Sequence, residues 1–331
     1  MDPIVLPSNR PADRFYRGGA RIAAFRGEPD LGPRTPEDWV ASTTTVRGEA
    51  EAGRTRLPDG SLLVDEIARQ PEPWLGPDHL QAFGVDTKLL VKLLDAGQRL
   101  PVHAHPDTAF ASEHVGTSHG KAEAWYLLTS GEVYLGLTQP VTRERLGALV
   151  AGQEVEELLS LMHRVSVRAG QTVWVPPGLL HAIGEGILLA EVQEPEDLSI
   201  LLEWRDFALD GAAEGHLGLG FDLALEAVET RARRGEEIAA LVGGESRIGS
   251  LLPAAADQYF LLERYVVDGQ HTVPAGFVVL ITLDGALDLV GEDARTVSVG
   301  AGSTTVIPYA AGPVQLRGHG TVLLARPPQP S

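Results

Sequence analysis

Short segments of apolar or alternating residues, separated by Gly or Pro, dominate the chain between about residues 87 and 205. Segments of this length and pattern are typical of β-strands, and short turns between them are typical of an antiparallel barrel. The run 87–96 is almost wholly apolar and lies between two glycines, so we predict a buried strand there. The predicted strands are residues 87–96, 124–129, 132–137, 163–168, 172–175, 187–192 and 199–204.

The pattern changes after residue 205. Apolar residues at 221, 224, 225, 228 and 232 follow helical spacing, which predicts an amphipathic helix in this stretch. Strand patterns then return at residues 259–267, 277–283, 286–290, 304–308, 314–316 and 321–325. We therefore predict a mainly β protein in three parts: an N-terminal region with a first barrel over 1–205, a helical insertion over 206–250, and a second barrel over 251–331.

Composition supports this architecture and excludes several functions. The 331 residues include 37 Gly and 23 Pro, which is more than average usage and implies many turns. There is no Cys, so the chain can hold neither a disulfide nor a Cys-based zinc site. The formal net charge of −18 is unsuited to binding a nucleic-acid backbone, which needs a basic face. We expect no nucleic-acid partner.

Hydropathy argues against a membrane partner. No stretch approaches the roughly 20 consecutive apolar residues of a transmembrane helix. The first residues contain early Pro and Asp and no apolar segment of the kind found in signal peptides. We therefore predict a cytoplasmic protein. The sequence says little about oligomeric state, and either a monomer or a homodimer is expected.

Candidate chemistry is concentrated in three segments. Residues 101–107 contain His103 and His105, whose spacing of two places both imidazoles on one face of a strand. Glu123 in the second segment could add a carboxylate, and His181 in the third could add another imidazole. Three imidazoles and one carboxylate suit Zn²⁺, Mn²⁺ or Fe²⁺. His119 and His163 are decoys or supporting groups for such a site.

A His-x-His pair alone is a weak signal, and the third segment strengthens it. Residues 170–181 run from Gly170 through a short strand and a Pro-x-Gly turn to His181. Together with the His pair, this spacing resembles the two signature motifs of the cupin superfamily. The first motif departs from the usual pattern, because 18 residues separate His105 from Glu123.

The segments LLVKLLDAGQRLPVHAHPD, GKAEAWYLL and VWVPPGLLHAIGEGILLAEVQEPEDLS resemble class I phosphomannose isomerases, especially the short bacterial type. The resemblance implies a bicupin fold, a helical insertion, a second barrel without metal, and zinc-dependent interconversion of mannose 6-phosphate and fructose 6-phosphate. By the same resemblance, four residues correspond to metal ligands: His103, His105, Glu123 and His181.

The resemblance also implies roles for three further residues. Lys121 matches an active-site lysine beside the glutamate ligand, and Glu191 matches a carboxylate of the site. Glu191 is our candidate for proton transfer or for orienting the base; alternatively, it is a structural carboxylate in an ion pair. Lys92 either faces the site and binds substrate or extends its ammonium to the surface.

Three positions depart from the family pattern. His103 stands where the family usually has Gln, so Mn²⁺ or Fe²⁺ could replace Zn²⁺. Leu201 stands where the family has a catalytic arginine, and Arg205 shares its face if the strand continues that far. Pro101 replaces a family serine. The last two changes affect phosphate recognition.

We therefore predict a metal-dependent aldose–ketose isomerase that works through a cis-enediol, and the resemblance implies that it interconverts mannose 6-phosphate and fructose 6-phosphate. Its catalytic residues would be Lys121, Glu191 and Arg205, and its substrate-binding residues Lys92 and Lys121. The alternatives are an isomerase of an unphosphorylated sugar, a cupin dioxygenase that uses redox-active iron or manganese, and a sugar-binding cupin without activity.

Overall fold

The computed structural model describes residues 1–245, 248–292 and 295–330. The protein is mainly β, as the sequence predicts, and its strands pair in antiparallel sheets. The strands in chain order are β1 (Ile4–Val5), β2 (Glu37–Val40), β3 (Leu90–Asp95), β4 (His103–Ala104), β5 (Glu123–Leu127), β6 (Gly131–Leu137), β7 (Met162–Val167), β8 (Thr172–Val175), β9 (His181–Ile183), β10 (Leu188–Gln193), β11 (Ile200–Leu201), β12 (Gly249–Ser250), β13 (Leu261–Val273), β14 (Val278–Val290), β15 (Thr296–Gly300), β16 (Thr304–Ile307) and β17 (Val314–Arg326).

Helices are short and lie between the strands. They are α1 (Ala20–Arg26), α2 (Leu63–Arg69), α3 (Pro71–Leu75), α4 (Pro77–Phe83), α5 (Thr108–Phe110), α6 (Arg143–Gly152), α7 (Val155–Ser160), α8 (Gly211–Glu214), α9 (Phe221–Ala224) and α10 (Gly235–Ala239). The longest, α6, begins after Thr142, whose side chain accepts a hydrogen bond from the main-chain N–H of Arg145 at 3.2 Å. None of the helices in these described ranges is long and apolar enough to cross a membrane.

Two five-stranded sheets contain the predicted motif segments. One has the order β2-β3-β10-β5-β8 and the other β11-β4-β9-β6-β7. All six residues of β3 are buried, because this strand has neighbours on both edges and is covered on both faces. The strand predicted at 199–204 is correct in position but too long, since β11 covers only Ile200–Leu201.

The C-terminal strands form a third sheet with the order β1-β16-β14-β17-β13-β12, and β15 pairs with β14. Two of the predicted strand divisions are wrong. Residues 278–290 form the single strand β14, with a register irregularity between Thr282 and Asp284, and residues 314–326 form the single strand β17. Long pairing with β13 and β14 carries β17 through the glycines that suggested a break.

The predicted helix between residues 221 and 232 is shorter in the structure. Helix α9 passes into a 3-10 turn (Leu225–Ala227), and Val228 is already extended. The next residue, Glu229, donates its main-chain N–H to the carbonyl oxygen of Gly178 at 2.9 Å. The chain therefore leaves the helix to bond the Pro-Gly turn that precedes β9. A second short helix, α10, follows at Gly235–Ala239.

Candidate metal centre and active site

The structure brings the three predicted histidines together at the second five-stranded sheet. His103 in β4 lies opposite His181 in β9, and their ring centres are 4.0 Å apart. His105, two residues beyond His103, places its ring centre 5.0 Å from His103 and 4.9 Å from His181. One ring nitrogen from each residue lies within 4.8 Å of the others, and all three side chains are buried. This group could hold a metal ion.

Main-chain carbonyl groups fix the tautomer of each ring. A carbonyl oxygen can only accept, so each Nδ1 in this arrangement carries a hydrogen and donates it. Each Nε2 therefore presents a lone pair, which is the arrangement typical of metal-binding histidines. The Nδ1 partners are the carbonyl oxygens of Pro101 for His103 (2.8 Å), Leu198 for His105 (2.6 Å) and Leu179 for His181 (2.8 Å).

The site keeps the imidazoles of His103 and His105 neutral. Burial, followed by the neighbouring His181 and His105, holds the pKa of His103 well below its ordinary value. Burial, followed by the charge of Lys121, lowers the pKa of His105 to about 3. Neutral rings are the form that binds a metal, because the proton and the ion compete for the same lone pair.

Glu123 in β5 faces this group from the first five-stranded sheet. Its Oε2 lies 3.0 Å from Nε2 of His105, and its Oε1 lies 3.2 Å from Nε2 of His181. Lys121 donates to Oε2 at 2.6 Å and to Nε2 of His105 at 3.1 Å. Nε2 of His181 is buried and has no hydrogen-bond partner among the described residues. Lone pairs that face each other this closely are stabilised by a cation, so the donor set fits a divalent metal.

A cavity of about 740 Å³ opens beside this centre. Its lining includes His103 from the second five-stranded sheet, Lys121 just before β5, and Glu123, Lys92 and Glu191 from the first five-stranded sheet. Lys92 in β3 and Glu191 in β10 are direct partners in the strand register, and both are buried. The structure thus places the predicted Lys92 at the cavity and not at the surface.

The ammonium of Lys92 lies among three carboxylates. Its Nζ is 3.8 Å from Oε2 of Glu37, 3.8 Å from Oε1 of Glu191 and 4.0 Å from Oδ1 of Asp197. It also lies 4.4 Å from the ring centre of Trp39, which adds a cation–π attraction. These contacts hold a positive charge in the middle of the cavity.

Glu191 can exchange a proton near neutral pH. Burial and the charge of Glu123 raise its pKa to about 7. Its Oε1 is buried and has no hydrogen-bond partner in the described part of the chain. Lys121 lies 4.0 Å from this carboxyl group. Burial alone would lower the pKa of Lys121, but the charges of Glu123 and Glu191 outweigh burial and raise it, so Lys121 stays positively charged.

Arg205 is not at the cavity, contrary to the sequence-based expectation. Strand β11 ends at Leu201, so the alternation that would place residues 201 and 205 on one face does not continue. The Arg205 side chain is 46% exposed and forms an ion pair with Glu156. Leu201 itself is buried and lines the cavity.

Two other histidines lie apart from the metal group. His119 Nε2 contacts Asp86 Oδ2 at 2.5 Å, and His163 Nε2 donates to the carbonyl oxygen of Arg233 at 2.7 Å. These contacts account for both rings without a role at the candidate metal centre.

Sequence reasoning missed a set of cavity residues from the N-terminal region. Glu37 in β2 accepts hydrogen bonds from the Tyr16 hydroxyl (2.6 Å), Trp39 Nε1 (2.6 Å) and Arg14 Nε (3.2 Å). Burial opposes the charged form of Glu37, but Arg14 and Lys92 outweigh burial and lower its pKa to about 2. No local motif in the sequence points to Arg14 as a cavity residue.

A mainly β protein with three buried imidazoles and a carboxylate beside a charged cavity has donor groups that could hold a divalent metal ion. No family model matches the chain. It is 36% identical over 205 residues to the mannose-6-phosphate isomerase of Streptococcus mutans, covering 59% of this chain and 58% of that protein. It is 33% identical over 190 residues to mannose-6-phosphate isomerase ManA of Bacillus subtilis, covering 56% of each.

The fold comparison extends over the whole chain. The crystal structure of the mannose 6-phosphate isomerase from Bacillus subtilis superposes with a TM-score of 0.76 at 22% identity, covering 98% of this chain and 100% of that one. The chain is therefore related in sequence to mannose-6-phosphate isomerases over somewhat more than half of their length, and it shares the fold of a solved one. The resemblance predicted from the sequence motifs is confirmed.

Proposed function

We propose that this protein is a metal-dependent aldose–ketose isomerase that interconverts mannose 6-phosphate and fructose 6-phosphate. The observation that carries the proposal is a cluster of three buried imidazoles beside a cavity that His103, Lys121 and Glu191 line. The identity of the substrate is inferred from the names of the sequence relatives. The matched stretches cover 58% and 56% of those two relatives, so the experiment described below tests the activity on the whole chain.

In this proposal the metal is held by His103, His105, His181 and Glu123. Three imidazoles and a carboxylate form a four-ligand set that suits Zn²⁺, and the same set accepts Mn²⁺ or Fe²⁺. When bound, a divalent ion polarises the carbonyl and hydroxyl oxygens of the substrate.

The chain's own residues perform the proton transfer. Glu191, in its carboxylate form, takes the proton from C2 of mannose 6-phosphate while O1 gains a proton, which gives the cis-enediol. Glu191 then returns its proton to C1 while O2 loses its proton, which gives fructose 6-phosphate. A carboxyl group whose pKa is about 7 is suited to both halves of this transfer. Lys121 lies 4.0 Å from Glu191 and stabilises the negative charge that develops on the substrate oxygens.

Each of the three parts predicted from the sequence has its own role in this proposal. We propose that residues 1–205 form the catalytic metal-binding unit and that residues 251–331 form a second cupin barrel without metal. Residues 206–250 support the metal centre through the hydrogen bond from Glu229 to Gly178 before His181. A cytoplasmic location and a monomeric or homodimeric state stay predictions from the sequence.

An activity screen tests this function. The purified protein is supplied in turn with Zn²⁺, Mn²⁺ and Fe²⁺ and incubated with mannose 6-phosphate, and fructose 6-phosphate is measured. We expect product with at least one metal and none after chelation. Absence of product with every metal contradicts the proposal, and conversion of free mannose alone would assign the enzyme to an unphosphorylated sugar.

A further inference from the structure

Arg14 reaches the cavity from a segment that precedes α1 and lies outside the strands of the five-stranded sheets. Its side chain is 11% exposed, and it is held by two carboxylates. Nε donates to Oε1 of Glu37 at 3.2 Å, and Nη2 lies 3.7 Å from Oδ2 of Asp197. Both carboxylates also line the cavity. Arg14 is therefore a fixed cation at the cavity wall.

Most of the donors of this guanidinium are free. Arginine carries five N–H donors, and within the described ranges the bond from Nε to Glu37 is the hydrogen bond that Arg14 makes through its side chain. Its terminal nitrogens contact Asp197 only at ion-pair distance. The N–H groups of Arg14 that make no hydrogen bond are open to the cavity that this residue lines, so this wall of the cavity favours a ligand that brings oxygen atoms to the guanidinium.

The carboxylate oxygens of Glu37 already have hydrogen-bond donors of their own and leave the remaining N–H groups of Arg14 available to a ligand. Its Oε1 already accepts from Tyr16 and Arg14, and its Oε2 accepts from Trp39. Glu37 and Asp197 together balance the charges of Arg14 and Lys92 before any ligand binds. Glu37 thus acts as a positioning residue for the guanidinium.

A series of charged contacts separates Arg14 from the metal centre. From Lys121 the series runs to Glu191 (4.0 Å), then Lys92 (3.8 Å), then Glu37 (3.8 Å) and then Arg14 (3.2 Å). Arg14 is the far end of this series. In a hexose 6-phosphate the reacting carbons C1 and C2 and the phosphoryl group also lie at opposite ends of the molecule.

We propose that Arg14 binds the phosphoryl group of the sugar phosphate substrate and so sets the preference for a phosphorylated over a free sugar. This inference rests on the proposed function. The planar guanidinium matches two phosphoryl oxygens at once, which an ammonium does not. Arg47 also lines this cavity; its main-chain N–H donates to Asp197 at 3.1 Å and its guanidinium donates to the carbonyl oxygen of Leu217 at 3.2 Å.

The test compares two substrates in matched variants of the metal-loaded protein. The value of kcat/KM is measured for mannose 6-phosphate and for free mannose in wild type, Arg14→Gln, Arg14→Lys and the control Arg168→Gln. The control removes an exposed arginine that pairs with Glu245 and does not line the cavity. Isothermal titration calorimetry with inorganic phosphate measures anion binding without turnover.

We expect Arg14→Gln to lower kcat/KM for mannose 6-phosphate roughly 10- to 100-fold, with little change for free mannose and weaker phosphate binding. Arg14→Lys keeps the positive charge but loses the two parallel N–H donors of the guanidinium. The ratio of kcat/KM for mannose 6-phosphate to kcat/KM for free mannose should therefore fall several-fold. Equal losses on both substrates, or an unchanged ratio in Arg14→Lys, would overturn the proposal. If wild type converts neither sugar, the proposed isomerase function is wrong. The role of Arg14 in binding phosphate is then tested by calorimetry alone, and unchanged phosphate binding in Arg14→Gln would overturn it.

Discussion

The buried carboxylate of Glu37 gives a quantitative prediction about acid stability. Arg14 and Lys92 outweigh burial and lower the pKa of Glu37 from 4.5 to about 2 in the folded protein. A group whose folded pKa is lowered contributes stability that is present above its unfolded pKa and is lost as the pH falls through the folded pKa. The contribution of Glu37 is therefore complete above pH 4.5 and disappears towards pH 2.

The size of this contribution follows from the shift. At about 1.4 kcal/mol for each pKa unit, a change from 4.5 to about 2 corresponds to about 3 kcal/mol of folding free energy at neutral pH. The linkage relation gives a loss of about 1.4 kcal/mol of this amount by pH 3.5. Glu37→Gln removes the charge, so the difference in stability between wild type and this variant should narrow by that amount between pH 7 and 3.5.

Urea unfolding followed by tryptophan fluorescence measures the free energy of unfolding at each pH. The control is Glu132→Gln, which breaks an exposed ion pair with Arg164 and should follow wild type at every pH. A stability difference between wild type and Glu37→Gln that is the same at pH 7 and pH 3.5 would refute the reasoning. That result would show that the charges of Arg14 and Lys92 do not stabilise the carboxylate form of Glu37 in the folded protein.

Three further predictions concern the candidate site. His181→Ala should abolish stoichiometric metal binding in elemental analysis, and chelation should lower the melting temperature of wild type but not of this variant. The value of kcat should rise with pH through about 7 as Glu191 becomes a carboxylate; Glu191→Gln should lower kcat about 100-fold or more and flatten that limb of the pH profile. Gly120→Ala should destabilise the fold by about 1–3 kcal/mol in urea titrations, because its Cβ would lie 2.5–2.6 Å from backbone atoms of residues 106–108; full stability would show that this loop can move.

The three clustered histidines illustrate what local pattern can predict. Period-two spacing put His103 and His105 on one face, and the Pro-x-Gly turn pointed to His181. In the structure the three rings lie within 5.0 Å of one another, measured between ring centres. Alternation works here because the direction of a side chain along a strand depends only on the local backbone.

Arg205 illustrates where that reasoning stops. The prediction required β11 to continue for four residues beyond Leu201, but its pairing with β4 covers only Ile200 and Leu201. Strand length depends on the partner strand, and β4 is itself only two residues long. The sequence around Arg205 does not indicate how long β4, the partner strand of β11, is.

The sequence alone therefore determined the mainly β class, the ligand types and the segments that carry them, because strand period, turn residues and imidazole chemistry are local properties. The tertiary structure decided which distant side chains share the cavity. It brought Arg14 and Glu37 from the N-terminal region to Lys92 and left Arg205 at the surface. The physical reason is that charge pairing and burial depend on which strands become neighbours, and the neighbours of a strand are set by the packing of the whole chain.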